Sequence, residues 1–259
     1  MENKKNAAIL TVVAVATLLV AVVGATFAFF AVQGGDTQTG TITVQTYTSD
    51  STTFSIAGNL SIEADQSNFG SGAGSLLTGT TASVVFSPAS RDSQGLCYNL
   101  KLVVTSNDFV YSAANSAANG TCTDNTKTTK ATCEAAEATW TAAPLAELTL
   151  SVVKGGTLTT DANDKVTGID STGATTIFNA LDITTLAAGT YYIPDALAQT
   201  IGTTRVDHTI ASSVTTQQTE EYAVLITFVN LNVDQNDNAG KEFAGSIVLE
   251  KCPAAQQGA

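Results

Sequence analysis

Hydrophobic and polar positions divide this chain into two unlike parts. Residues 7–32 carry no charged side chain at all, and a basic start with Lys4 and Lys5 precedes them. From residue 41 onward the pattern becomes alternation with period two, the signature of strands exposing one face and burying the other. Residues 41–47 alternate strictly and predict a first strand, with shorter ones at 53–56, 60–63 and 82–87. Over 97–105, Tyr98, Leu100, Leu102 and Val104 share one face, while Cys97, Asn99 and Lys101 share the other. Leu148, Leu150 and Val152 repeat that pattern. Residues 155–175 read as a Gly-, Thr- and Asp-rich loop, 177–186 and 190–193 as short apolar segments, and 206–211 as another strand. Residues 215–220 read as a polar turn. Residues 222–230 are apolar on both faces, which marks a strand central to a two-layer core. In the last strand Phe243, Ile247 and Leu249 oppose Ser246, Glu250 and Cys252.

About ten short strands with turn clusters between them predict an all-β fold, a β-sandwich of jelly-roll type over 41–252. An immunoglobulin-like sandwich is the alternative. A stretch at about 113–144 interrupts the strands, with Cys122, Cys133 and the single tryptophan, Trp140. Its Ala- and Glu-rich part predicts two turns of helix. It reads as a clipped surface excursion or as a recognition loop around Trp140. Residues 253–259 form a tail.

The apolar start has two readings. A basic segment, an apolar run and small residues at −3 and −1 define a secretory signal. Thr26 and Ala28 occupy those positions if the cut precedes Phe29. Residues 1–28 would then be a signal helix removed by a signal peptidase. The mature chain would begin at Phe29, with Phe30 and Val32 also exposed in a segment spanning 29–40. The other reading retains 7–32 as a membrane anchor, since about 20 apolar residues suffice to span a bilayer.

Composition sharpens the picture. Charged residues make up 13% of the chain, so Thr, Ser, Asn and Gln must supply much of the polar surface. The net charge of −12 becomes about −13 without the signal, because Glu2, Lys4 and Lys5 together carry +1. Such acidity, with no basic cluster, argues against nucleic-acid partners. The four cysteines after a secretory signal predict disulfides, with three connectivities open. Cys97 and Cys252 both fall on the polar faces of their strands, a parity compatible with pairing on the outer surface. Cys122 and Cys133 are near enough in sequence to clip their loop.

Candidate chemistry is sparse. A zinc-peptidase helix needs two histidines four apart with a glutamate between them. His208 is the only histidine, so it reads as an ordinary strand residue. No Gly-x-Ser-x-Gly elbow occurs. The run from Asp234 places Asn236 and Asn238 at alternate positions, as in a calcium loop. Ala239 and Gly245 stand where the sixth-position Gly and twelfth-position Glu belong. An Asn/Asp-rich turn is the simpler reading, leaving Ca²⁺ as the one cofactor candidate. A non-enzymatic protein is expected.

Two passages resemble one family. Gly24-Ala-Thr-Phe-Ala-Phe-Phe with Gly40-Thr-Ile-Thr-Val44 is similar to the junction and first strand of the TasA/camelysin family. Residues 228–243, containing Asp234-Gln-Asn, resemble its penultimate loop. The Cys122/Cys133 insertion and the Cys97/Cys252 pair depart from that family's pattern. The resemblance implies a jelly-roll subunit released by a dedicated signal peptidase. It would polymerise into extracellular fibres or a biofilm or surface layer by lending an N-terminal strand, with Phe29, Phe30 and Val32, to the next copy. Part of the family carries a metallopeptidase label. A surface adhesin with matrix or cell-surface partners is the alternative function.

Overall fold

The computed structural model describes residues 49–65, 68–69, 74–89 and 93–253. The processing residues Thr26, Ala28 and Phe29, the apolar Phe30 and Val32, and the expected strand at 41–47 lie outside them. The described residues belong to one unit, Tyr47–Ala259. Among them are β1 (Ser51–Ile56), β2 (Leu60–Ala64), β3 (Leu76–Ser87), β4 (Leu96–Asn107) and β5 (Gly120–Cys122). There follow β6 (Trp140–Ala142), β7 (Leu148–Lys154), β8 (Thr157–Thr160), β9 (Val166–Asp170) and β10 (Thr175–Asp182). The series closes with β11 (Gly189–Tyr192), β12 (His208–Ile210), β13 (Gln218–Phe228) and β14 (Lys241–Lys251).

Two antiparallel sheets form the sandwich. One has the order β1-β3-β13-β7-β10 and the other β11-β4-β14-β2, with β12 also paired to β4. The all-β reading holds. β11 and β12 lie end to end along β4: Tyr192 faces Lys101, and His208 faces Tyr98. The inward rows follow the predicted alternation. Tyr98, Leu100, Leu102 and Val104 are buried, as are Leu148, Leu150 and Val152 opposite them and Phe243, Ile247 and Leu249 beside them. Burying each such side chain contributes about 1.5–3 kcal/mol.

β13 lies in the middle of its sheet, as its apolar character required. Tyr222, Val224, Ile226 and Phe228 face the core, yet Ala223 and Leu225 on the other face are buried too. The cover is the β8–β9 hairpin, formed by residues expected to be loop. A methyl group of Leu158 lies 2.9 Å from where a Cβ on Gly79 would stand, and Gly79 pairs with Leu225. The missing side chain at Gly79 lets the hairpin settle onto the sheet. Its turn is held by Asp161, whose Oδ1 accepts N–H bonds from Asn163 and Lys165, with Asp164 at φ 59°.

Three further expectations need correction. Residues 218–220, read as turn, already belong to β13, because their backbone pairs with Phe86, Val85 and Val84 of β3. Cys97 and Asn99 point away from the core but are buried, since the chain at Val206–Asp207 crosses over them. The insertion carries two short helices, α1 (Ala113–Ala118) and α2 (Lys130–Ala135). Only the second was expected, and it ends before the Ala/Glu run is exhausted. α1 exists because Ser112 caps it, accepting from the Asn115 N–H.

Candidate functional site

Polar side chains gather at two places inside the sandwich. At the first, Tyr98 from one sheet and Tyr222 from the other approach to 2.6 Å between their hydroxyl oxygens. Tyr98 also donates to Glu220. His208, across the ladder from Tyr98, stacks on its ring at 5.1 Å. The His208 Nε2–H donates to the Ile193 carbonyl at 2.8 Å, which leaves Nδ1 facing the Tyr222 hydroxyl at 3.3 Å. Lys154, opposite Tyr222, bridges Glu220 at 3.0 Å and Asp195 at 2.8 Å.

Burial first, then the neighbouring Tyr222 and the bond to Glu220, pushes the Tyr98 hydroxyl far above the ordinary tyrosine range. Burial likewise raises Tyr222. For Lys154, burial works against the charge, but hydrogen bonds to Asp195 and Glu220 outweigh it and hold the ammonium on. Both tyrosines therefore stay protonated and donate. No serine, threonine or cysteine nucleophile bonds to His208 among the described residues. The arrangement ties one sheet to the other across the end of the core.

At the second place Glu147, wholly buried at the head of β7, gathers five hydrogen bonds. Its Oε1 accepts from the Ser112 N–H, the Ser112 hydroxyl and the Asn115 carboxamide; its Oε2 accepts from Gln235 and Asn238 at 2.9 and 2.8 Å. No basic side chain forms an ion pair with it among the described residues. Buried carboxylates without a cation persist only when donors satisfy both oxygens. This hub joins α1, β7 and the loop before β14. Sequence reasoning did not find it. The one available signal was an acid, Glu147, directly heading an apolar strand.

The expected cysteine pairs are both present: Cys97–Cys252 closes 155 residues and Cys122–Cys133 closes 11. Asp207 sits beside the first, so that its carboxylate and both sulfurs lie within 4.8 Å of one another. Those sulfurs are bonded to each other and offer no thiolate, so the grouping is not a thiolate metal site. Asp207 instead accepts from Asn99 and Arg205, which hold its carboxyl below the usual range.

The calcium candidates separate. Asp234 accepts the N–H of Asn236 within its own turn. Asn238 turns inward, bonding Val110 through both ends of its carboxamide as well as Glu147. Trp140, the candidate recognition residue, donates from Nε1 to the Ser116 carbonyl, and its ring covers Gly120. It therefore holds the insertion together. Among the described residues no helix is long and apolar enough to cross a membrane. No protein-family model, curated protein or solved structure matches the chain.

Proposed function

We propose that the chain is a non-enzymatic structural subunit, exported to the cell exterior, that self-associates through its N-terminal segment into fibres or a surface layer. One observation carries this reading: the side chains with chemical potential are spent on internal ties. His208, Tyr98, Tyr222 and Lys154 join the sheets, Glu147 anchors the insertion, and all four cysteines are bridged. A frame clamped at several points suits a load-bearing role. The resemblance to the TasA/camelysin family supports the same reading. Phe29, Phe30 and Val32 supply the apolar connector, whether residues 1–28 are cleaved or 7–32 first anchor the chain in a membrane.

The jelly-roll type belongs to this proposal. Taken in chain order, β2, β3, β4, β7, β10, β11, β13 and β14 are eight strands. Numbered one to eight, they give sheets 6-3-8-1 and 2-7-4-5, the arrangement of two interlocked Greek keys. That order supports a jelly roll over an immunoglobulin-like sandwich, with β1 as an added edge.

Negative-stain microscopy of the mature protein tests the function. Reproducible filaments or sheets are expected. A monodisperse monomer with affinity for glycans or cell surfaces would instead establish the adhesin, and metal-dependent proteolysis the camelysin-like peptidase.

A further inference from the structure

We infer that Asn59 is an attachment site for an N-linked oligosaccharide, added at the outer face of the membrane as the chain is exported. This rests on the export proposed above and names a modification that the exported chain receives. An Asn-x-Ser/Thr triplet, with x other than proline, is the pattern that accepts such a glycan in a secreted protein, and it serves where it lies on an accessible surface. The sequence holds two such triplets, Asn59-Leu60-Ser61 and Asn119-Gly120-Thr121.

The fold separates the two. Asn59 ends the link Ala57-Gly58-Asn59 between β1 and β2, and it is exposed. Backbone groups hold that link: the Ala57 N–H donates to the Thr81 carbonyl at 2.9 Å, and the Gly58 N–H to the Thr80 hydroxyl at 3.0 Å. Among the described residues the Asn59 carboxamide has no hydrogen-bond partner. Leu60 opens β2 wholly buried, and Ser61 is exposed again. Strand alternation therefore anchors the middle residue of the triplet in the core and turns its two polar members outward. The chain beside them is uncrowded, since a Cβ on Gly58 would meet nothing within 4 Å.

Asn119 is placed differently. It is half-buried, and its Nδ2, the atom that a sugar would take, donates to the Asn115 carbonyl at 3.2 Å and to the Asn115 Oδ1 at 3.0 Å. Gly120 lies under the Trp140 ring, and Thr121 pairs with Thr141 in the β5–β6 ladder. Asn115 in turn donates to Glu147. A glycan on Asn119 would loosen the insertion; one on Asn59 disturbs no tie.

The transfer is a substitution at a sugar's anomeric carbon. The donor is an oligosaccharide carried on a polyprenyl phosphate, and a membrane transferase supplies the base. The Asn59 Nδ2 forms a bond to C1 of the first sugar as the bond from C1 to the phosphate oxygen breaks. The lipid phosphate leaves with that electron pair, and Nδ2 gives its proton to the transferase. The Ser61 hydroxyl, two residues on, completes the pattern that the transferase reads. Only 13% of the chain is charged, so a glycan adds hydration that charge does not supply. It also keeps this corner of the subunit turned to solvent in any assembly.

Intact mass and electron-transfer fragmentation of the protein collected outside its own cells test the assignment, and the wild type alone suffices to locate the sugar. A mass excess of one glycan is expected, carried by Asn59. Asn59→Gln and Ser61→Ala should each lose that excess entirely, Ser61→Thr should keep it, and Asn119→Gln should leave it unchanged. Exported protein with a bare Asn59, whatever Asn119 carries, would overturn the assignment while the export reading stands. So would a Ser61→Ala protein that is fully modified. A chain found only inside the cell would overturn export and the glycan together.

Discussion

The corner around Glu147 and the outer half of β14 are tied in opposite ways. At Glu147, donors from α1, from Ser112 and from the loop before β14 converge until both carboxylate oxygens are satisfied. In the outer half of β14, one strand changes sheets, and among the described residues Ser246–Glu250 pairs with β4 alone before the Cys97–Cys252 bridge ties the strand's end. The first corner uses all its bonding capacity inside the subunit. The second is held by a covalent bond. The difference predicts that the first yields to a single substitution and the second to loss of its bridge.

Two changes should cost the most stability, Glu147→Ala and loss of Cys97–Cys252. Glu147→Ala takes the acceptor from the Ser112 N–H and from one N–H of each of three buried carboxamides, at about 1–3 kcal/mol for each unsatisfied group. A net loss of roughly 3–5 kcal/mol in denaturant unfolding is expected. A loss below 1 kcal/mol would show that the hub is dispensable. The two disulfides should differ from each other. On the chain-entropy view, removing Cys97–Cys252 costs about 4–5 kcal/mol and removing Cys122–Cys133 about 3, since the first closes 155 residues and the second 11. Equal losses for the paired Cys→Ser variants would argue that the insertion matters as much as the sandwich.

The tyrosine cluster makes a pH prediction. The hydroxyls of Tyr98 and Tyr222 ionise in the unfolded chain near pH 10 and are raised above that when folded, mainly by burial. A raised folded value means that their contribution is complete below about pH 10 and is lost as pH climbs through the folded values. Lys154, also raised, acts in the same direction. Unfolding free energy should therefore fall above pH 10, and less steeply in Tyr98→Phe. A flat profile to pH 12 would contradict the assignment. The smallest effect should be that of Gly79→Ala. Its new Cβ meets the flexible tip of Leu158 at 2.9 Å and the Val224 carbonyl at 3.1 Å, costing about 1–2 kcal/mol as mild overpacking. A neutral result would mean that the β8–β9 hairpin lies loosely on its sheet.

The long alternating strands were legible because one face of each is buried: Tyr98 through Val104 and Phe243 through Leu249 announce their inward rows directly. The cysteine pairs were legible for the same reason, parity in one case and nearness in the other. The β8–β9 hairpin was not, because its outward residues are Thr, Asp and Gly and only Leu158 and Ile169 hint at contact. The two polar clusters were hidden for a different reason. Glu147, Ser112, Gln235 and Asn238 lie far apart in the chain, and only the completed topology brings them together. Trp140, Asn236 and Asn238 attracted attention by residue type, but the structure puts Trp140 and Asn238 to internal use and leaves Asn236 in a turn.

Deleting residues 29–36 from the mature protein tests the central claim most directly. Sedimentation and circular dichroism would be recorded beside the wild type. Phe29, Phe30 and Val32 each bring about 1.5–3 kcal/mol of apolar burial to a docked strand, and part of that offsets the cost of ordering it. The account predicts that the wild type sediments as assembled material, while the deletion variant stays soluble with an unchanged β-sheet spectrum. A deletion variant that sediments as the wild type does would contradict it.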